Sequence, residues 1–220
     1  MKTAALLVAS ALAVLLVLVL LGLLVTRVLP HSGLGAADAR VGPDLVRERT
    51  PMLTRYTYYA TFLAETVTIS VLAAMLFVVL RLTLRRWRES LFLGAAVVGE
   101  VLIFLVATLL IHRHRPAVPQ LDAAPPTSSF PSGHTAASIA LYGGLAVMAW
   151  RSEGARSARR RLLRTVATVL ALLIPIGVAF SRLYRGMHYP TDVIGGALLG
   201  ICWLTATAVL LLPRRAQHST

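Results

Sequence analysis

SRLYRGMHYPTD, residues 181 to 192, lies between two long apolar segments and puts Arg182, Arg185, His188 and Asp192 at the edge of whatever those segments cross. Working outward, the flanking runs are close to uncharged from about Thr165 to Phe180 and from about Val193 to Leu212. Each is long enough to span most of a hydrocarbon core of about 30 Å as a helix. The chain as a whole agrees, with 57% hydrophobic and 14% charged residues among 220 and a mean hydropathy of +0.74. Such a composition excludes an ordinary soluble domain and indicates an integral membrane protein.

Further spans are read at Ala4–Val25, Tyr59–Leu80, Leu91–Ile111 and Thr135–Trp150. The first is too long for the apolar region of a secretory signal and is taken as an uncleaved span. The expected fold is therefore all-α: six transmembrane helices in one bundle, residues 1–220 forming a single domain. Arg27 to Tyr58 carries Pro30, Pro43 and Pro51 and reads as a surface loop with a short interfacial helix around Asp44–Arg49. Glu65 and Glu100 fall inside predicted spans, where a charge is costly and should face the bundle interior.

A formal charge of +13 would suggest nucleic acid in a soluble chain, but here the basic residues sit in short blocks between spans. Lys2, the arginines of the Arg81–Arg88 and Arg151–Arg164 turns, Arg214 and Arg215 share one side, which predicts cytoplasmic termini in a cytoplasmic membrane. Trp87 and Trp150 flank that side, and Tyr56, Tyr58, Tyr59, Tyr184 and Tyr189 gather at the other. No nucleic-acid partner is expected. The arginines of the two short outer loops, Arg113, Arg115, Arg182 and Arg185, are left unexplained by topology.

Those loops also contain HRHRP (112–116) and SSFPSGH (128–134), so three polar stretches share the outer face. Their residue types suit a phosphate ester, which needs charge on its oxygens balanced, a nucleophile in line and an acid for the departing oxygen. Arg115 and Arg182 can fork donors onto phosphate, joined by Ser132 and the amides of Gly133 and His134 where a helix begins. His188 and Asp192 have the spacing for a carboxylate to orient an imidazole whose other nitrogen attacks phosphorus, with His134 as the acid. Metal-assisted hydrolysis wants several carboxylates, whereas the outer loops after the third and fifth spans offer only Asp122 and Asp192, so no metal or other cofactor is expected.

Arg115-Pro116, Pro131-Ser132-Gly133-His134, and Ser181-Arg182 followed by His188 and Asp192 resemble the three-part signature of the type-2 phosphatidic acid phosphatase superfamily, which includes vanadium-dependent haloperoxidases. The resemblance implies a phosphohistidine at His188 oriented by Asp192, with His134 as general acid. It also implies phosphate held by Arg115, Arg182, Ser132 and Gly133, in a six-helix lipid-phosphatase bundle. The family lysine seven residues before Arg115 is Thr108 here, and every basic residue but Lys2 is arginine. Arg113 or Arg185 is expected to supply that charge. The expected activity is hydrolysis of a lipid phosphate or diphosphate on the outer leaflet, best an undecaprenyl-type carrier, with phosphatidic acid and phosphatidylglycerol phosphate as alternatives. A lipid-phosphate transporter or binding protein is the second reading, with Glu65 or Glu100 as its coupling group. Oligomeric state is not read from the sequence.

Overall fold

In a computed structural model that describes residues 2–151 and 157–212, the chain is all-helical among those residues. Arg156, Arg214 and Arg215, which entered the charge asymmetry, lie outside them. The helices are α1 (Lys2–Leu23), α2 (Gly33–Arg47), α3 (Pro51–Phe62), α4 (Thr66–Val78), α5 (Trp87–Leu110), α6 (Gly133–Ser138), α7 (Gly144–Arg151), α8 (Ala158–Tyr184) and α9 (Pro190–Leu211). A π-helical turn and a 3₁₀ turn carry the first helical stretch on to His31, and a second π turn carries α4 on to Thr83.

Among the described residues five helices are long and apolar enough to cross a membrane: Lys2–His31, Thr66–Thr83, Trp87–Leu110, Arg161–Tyr184 and Pro190–Leu211. The stretch expected as the fourth span is not among these five; it folds as α6 and α7 joined by a π turn at Ile139–Gly143, not as one uninterrupted α-helix. The second span starts later than Tyr59, because the chain breaks after Phe62 and restarts with extended Glu65 as the N-cap of α4. Glu65 is consequently exposed at a helix start, whereas Glu100 is 1% exposed in α5 and faces the interior as expected.

The largest departure is in the prolines. Arg27–Tyr58 folds mostly as helix: Pro51 occupies the first turn of α3, where its missing N–H leaves nothing unpaired, Pro30 sits in the 3₁₀ turn, and Pro43 lies inside α2. Ser32 and Thr50 cap α2 and α3 by accepting from Gly35 N (3.2 Å) and Leu53 N (3.2 Å). Tyr184, expected among the interfacial aromatics, is instead 1% exposed. Its hydroxyl accepts from Thr50 N at 2.8 Å, and Arg49 Nη2 donates to its carbonyl at 3.0 Å. The α2–α3 junction is thereby strapped to the end of α8.

α9 is the central post, packing against α1, α5 and α6. Phe92, Leu93, Ala96, Leu199, Trp203 and Leu204 are buried along its contacts, and Trp203 donates to Ala95 O at 3.0 Å. Close approach is needed at Gly196, where a Cβ would lie 2.3 Å from the Ser132 carbonyl oxygen. With Ser132 N donating to Asp192 O at 2.9 Å, this seats the 128–134 loop directly on the start of α9.

Candidate active site

The segment 181–192 turns because α8 ends in a Schellman motif. Met187 N donates to Arg182 O and Gly186 N to Leu183 O, both at 3.0 Å. Gly186 takes the left-handed position with φ +75°, where an added Cβ would also lie 2.8 Å from Val118 Cγ2. Pro190 then opens α9, and Asp192 in its first turn accepts from Tyr189 N at 2.9 Å. The two helix ends fix His188 between them.

His188 is 4% exposed. Its Nδ1 lies 2.8 Å from the Ser129 carbonyl oxygen and 3.6 Å from Asp192 Oδ2. The main-chain carbonyl is thus the closer orienting partner, and the carboxylate acts beside it as a charge. Nδ1 carries the proton in this arrangement, leaving Nε2 as the lone-pair nitrogen, 3.4 Å from Arg115 Nη1. Burial lowers the His188 pKa, with Asp192 opposing and Arg182 and Arg115 adding to the depression, which favours the neutral ring.

Asp192 is 0% exposed and fully engaged. It accepts from Arg113 Nη1, from Ser129 Oγ and from Tyr189 N. Arg113 was expected to reach phosphate, but its other arm goes to Asp38 Oδ2 at 2.7 Å, and its guanidinium lies 4.2 Å from the Tyr189 ring. Asp38, on α2, also accepts from Thr191 N at 2.9 Å and Thr191 Oγ1 at 2.8 Å. A buried chain Asp38–Arg113–Asp192 therefore backs the histidine.

Arg185 is likewise turned from the role expected of it. It binds Asp122 through two arms, Nε to Oδ2 at 2.8 Å and Nη2 to Oδ1 at 2.6 Å, and its remaining donors reach Leu121 O, Thr54 O and Thr57 Oγ1. Its donors are occupied because the 111–132 loop brings a carboxylate to it. Burial pushes the Asp122 pKa up, but Arg185 and Arg182 outweigh this and hold it below the usual carboxylate range. Thr108 is buried and bonds only back to Leu105 O in its own helix, at 2.9 Å.

Arg182 and Arg115 differ from those two. Arg182, 2% exposed, donates Nη1 to Asp122 Oδ2 (3.0 Å) and Thr61 Oγ1 (3.2 Å); Arg115 donates Nη1 to Met187 O (2.8 Å). The Nε of each is a buried donor with no partner among the described residues. Such donors are costly to leave unmade and point to an anion as their acceptor. His134 belongs to the same charge cluster at the mouth of the site: burial, Arg182, His188 and Arg115 lower its pKa to about 3, with only Asp122 opposing.

Ser132 is buried, its hydroxyl 3.0 Å from Thr135 Oγ1, so it does not cap the first-turn amides of α6. Gly133 has a packing reason for being glycine, since a Cβ there would lie 2.8 Å from the Phe104 ring. The structure thus gathers Arg115, Arg182, Ser132, His134, His188 and Asp192 at one end of the bundle. His112 and His114 stay exposed. Asp38, Asp122, Thr61 and the Ser129 carbonyl were not foreseen. Ser129 lies within the quoted SSFPSGH, whereas nothing local marks Asp38 or Thr61.

An all-helical membrane bundle with an arginine-flanked histidine and a buried aspartate at one end defines a class of protein. The chain matches the PAP2 superfamily over residues 4–216, and it belongs to that superfamily. It is 36% identical over 73 residues to phosphatidylglycerophosphatase B of Bacillus subtilis, covering 33% of this chain and 34% of that one. It is 30% identical over 118 residues to an undecaprenyl-diphosphatase of Sulfolobus acidocaldarius, covering 54% and 50%. Decaprenylphosphoryl-5-phosphoribose phosphatase of Mycobacterium tuberculosis is 31% identical over 119 residues, covering 53% and 58%. These matches span roughly a third to just over half of the relatives' own length. A crystal structure of a transmembrane PAP2-type phosphatidylglycerolphosphate phosphatase from Bacillus subtilis shares the fold, with a TM-score of 0.75 at 22% identity, covering 91% of this chain and 94% of that one.

Proposed function

We propose that the chain is a membrane-embedded lipid phosphatase that works through a phosphohistidine at His188, the whole chain serving as one domain. The observation that carries this reading is the orientation of His188: its Nδ1 faces the Ser129 carbonyl oxygen at 2.8 Å and its Nε2 lies beside Arg115. Binding alone has no use for a buried imidazole aimed in that way.

Phosphate oxygens bind the unpaired Nε donors of Arg115 and Arg182, with Ser132 and the first amides of α6 completing the cradle. Nε2 attacks phosphorus, and the bond to the leaving oxygen breaks as that oxygen takes up a proton that enters with the phosphate monoanion and is passed on by His134. Water deprotonated by His134 then attacks the phosphohistidine, releasing inorganic phosphate and restoring the neutral ring. Asp192 stabilises the positive charge that develops on His188, and Asp38 and Arg113 hold Asp192.

No metal enters this step, since the three nearby carboxylates are already committed, Asp192 to Arg113 and Ser129, Asp38 to Arg113 and Thr191, and Asp122 to Arg182 and Arg185. Of the two coupling groups that a transporter reading names, Glu65 is exposed at the start of α4, which leaves that reading only Glu100 in the bundle interior. A polyprenyl diphosphate is the favoured substrate, supported by two relatives named for polyprenyl phosphates. The site faces away from the cytoplasm in this reading, as the basic turns at the other end suggest.

The test is phosphate release by the purified protein from undecaprenyl diphosphate, phosphatidic acid, phosphatidylglycerol phosphate and a soluble phosphate ester, beside His188→Ala. A wild-type burst of acid-labile protein-bound phosphate, lost in the variant, is expected. Undiminished hydrolysis by His188→Ala would overturn the mechanism.

A further inference from the structure

Asp122 is a carboxylate at the phosphate site to which the catalytic steps give no part. It lies in the 111–132 loop, its side chain 21% exposed, against the two arginines where α8 ends. Its Oδ2 accepts from Arg182 Nη1 at 3.0 Å and Arg185 Nε at 2.8 Å, and its Oδ1 from Arg185 Nη2 at 2.6 Å. Arg182 thus carries Asp122 on one nitrogen and keeps Nε, its unpaired buried donor, for phosphate. A phosphoryl oxygen bound there shares a guanidinium with a carboxylate. Like charges so close weaken anion binding, so the carboxylate needs a reason to be there.

The balance of charge supplies that reason. Four guanidiniums, those of Arg113, Arg115, Arg182 and Arg185, stand among three carboxylates, Asp38, Asp122 and Asp192, while burial favours the neutral forms of His134 and His188. One positive charge is left over for the ligand. It matches a phosphoryl group that keeps one proton and carries one negative charge, whereas a dianion would bury an unbalanced charge where low dielectric makes imbalance costly. We propose that Asp122 is a specificity-determining residue, selecting the singly charged, proton-bearing form of the substrate's phosphoryl group over the dianion. The inference rests on the phosphatase reading and adds the residue that selects the protonation state of the substrate.

A like charge within about 4–6 Å moves an ionisation by roughly 1–3 pH units, in the direction that disfavours the second charge. Two acceptors on one guanidinium lie within that reach. Asp122 thereby keeps the second proton on the bound phosphate at neutral pH, and this is the proton that His134 passes to the leaving oxygen. Burial alone would raise the Asp122 pKa, but Arg185 and Arg182 outweigh it and keep the carboxylate ionised while the phosphate titrates. Of the other charged and titratable groups around it, His134 faces it from the start of α6 and Arg115 comes from its own loop. Half-buried Arg49 and the Tyr58 ring, 5.9 Å from the Arg185 guanidinium, lie on the α2–α3 side.

The test compares two tetrahedral anions of fixed charge, sulfate with two charges and methyl sulfate with one, as ligands of the full-length protein at constant ionic strength. Binding is read as competitive inhibition of phosphate release and, without any need for turnover, as a rise in unfolding temperature. The ratio of the sulfate to the methyl sulfate dissociation constant should fall at least tenfold in Asp122→Asn and in Asp122→Ala. Asp44→Asn, which removes an exposed charge paired with Arg47, should leave the ratio unchanged. Inhibition by inorganic phosphate should weaken in the wild type as pH rises through its second ionisation and lose that dependence in both Asp122 variants. Substrate should bind the variants with a lower KM but turn over with a lower kcat at neutral pH, because the dianion arrives without its proton. Binding of neither anion, or an unchanged ratio in both Asp122 variants, would overturn the proposal. So would equal weakening of both anions, which is what the loss of a merely structural tether on Arg182 produces. A wild type that hydrolyses none of the lipid phosphates would instead refute the phosphatase reading, while the anion ratio read from unfolding tests Asp122 separately.

Discussion

Replacing Asp38 by alanine removes a carboxylate that touches none of the donors assigned to phosphate, yet it should slow turnover. The side chain is 7% exposed and accepts three hydrogen bonds: from Arg113 Nη2 at 2.7 Å, Thr191 Oγ1 at 2.8 Å and Thr191 N at 2.9 Å. Breaking a fully buried ion pair costs about 3–5 kcal/mol. Arg113 keeps its second partner, Asp192, and its side chain is 13% exposed, so the positioning loss should be that of one charge-assisted hydrogen bond, about 1.5–3 kcal/mol. Expressed wholly in the transition state, that is roughly a 10- to 150-fold fall in kcat. KM should be nearly unchanged. Asp38→Asn keeps an acceptor for Thr191 N but loses the charge, and it should fall between wild type and alanine. The assay is steady-state phosphate release by protein in liposomes, with thermal unfolding of each variant measured alongside. An Asp38→Ala protein that folds and keeps its kcat, or one whose loss lies entirely in KM, would refute the idea that α2 holds the nucleophile's partner.

Four further outcomes are expected. Arg182→Gln should lower kcat/KM more than Arg185→Gln, by roughly tenfold or more, since about 1.4 kcal/mol separates a group with an unpaired donor for phosphate from one tied to Asp122; equal losses would restore Arg185 as a phosphate ligand. Gly186→Ala should destabilise the protein by about 1–2 kcal/mol from the left-handed backbone alone, with the Val118 contact adding to it, read as a lower unfolding temperature. For pH, a lowered His188 pKa keeps the nucleophile neutral into the acid range, so kcat/KM should fall only below the ordinary histidine value of about 6.5. With His134 held at about 3 in the free enzyme, the proton for the leaving group must enter with the phosphate monoanion, so kcat/KM should fall as pH rises through the substrate's second ionisation near ~6. An alkaline limb that ignores the substrate's pKa would contradict this. Finally, EDTA should leave hydrolysis intact; a complete loss reversed by added metal would rule out the metal-free route.

The long apolar runs were legible because transmembrane hydropathy needs no tertiary context, and the approach of His188 to Asp192 was legible because they are close in sequence, on either side of the start of α9. The 27–58 region was misread because proline is a helix breaker only in an interior position that needs its N–H. Pro51 sits where no N–H is required, and Pro43 is tolerated inside α2. The roles of Arg113 and Arg185 were misassigned for a related reason: sequence shows a surplus of arginine on one face but not which carboxylate each will meet. Their partners, Asp38 on α2 and Asp122 in the 111–132 loop, are not marked by any motif, and only folding brings them within 3 Å. Glu65 looked intramembrane because hydropathy windows average over the short break that the backbone makes between Phe62 and Thr66.

The carbonyl of Ser129 has a consequence for anyone dissecting this site by substitution. A main-chain oxygen survives every change of side chain, so Ser129→Ala strips a hydroxyl from Asp192 and leaves the imidazole's nearest partner in place. Alanine scanning is therefore blind to the group that orients the His188 ring. Re-aiming the ring requires moving the path of the chain between Ser128 and Ser132, which is seated on Gly196 of α9. A bulkier residue at position 196, beyond the 181–192 stretch and inside α9, is thus the lever by which the aim of the ring could be altered.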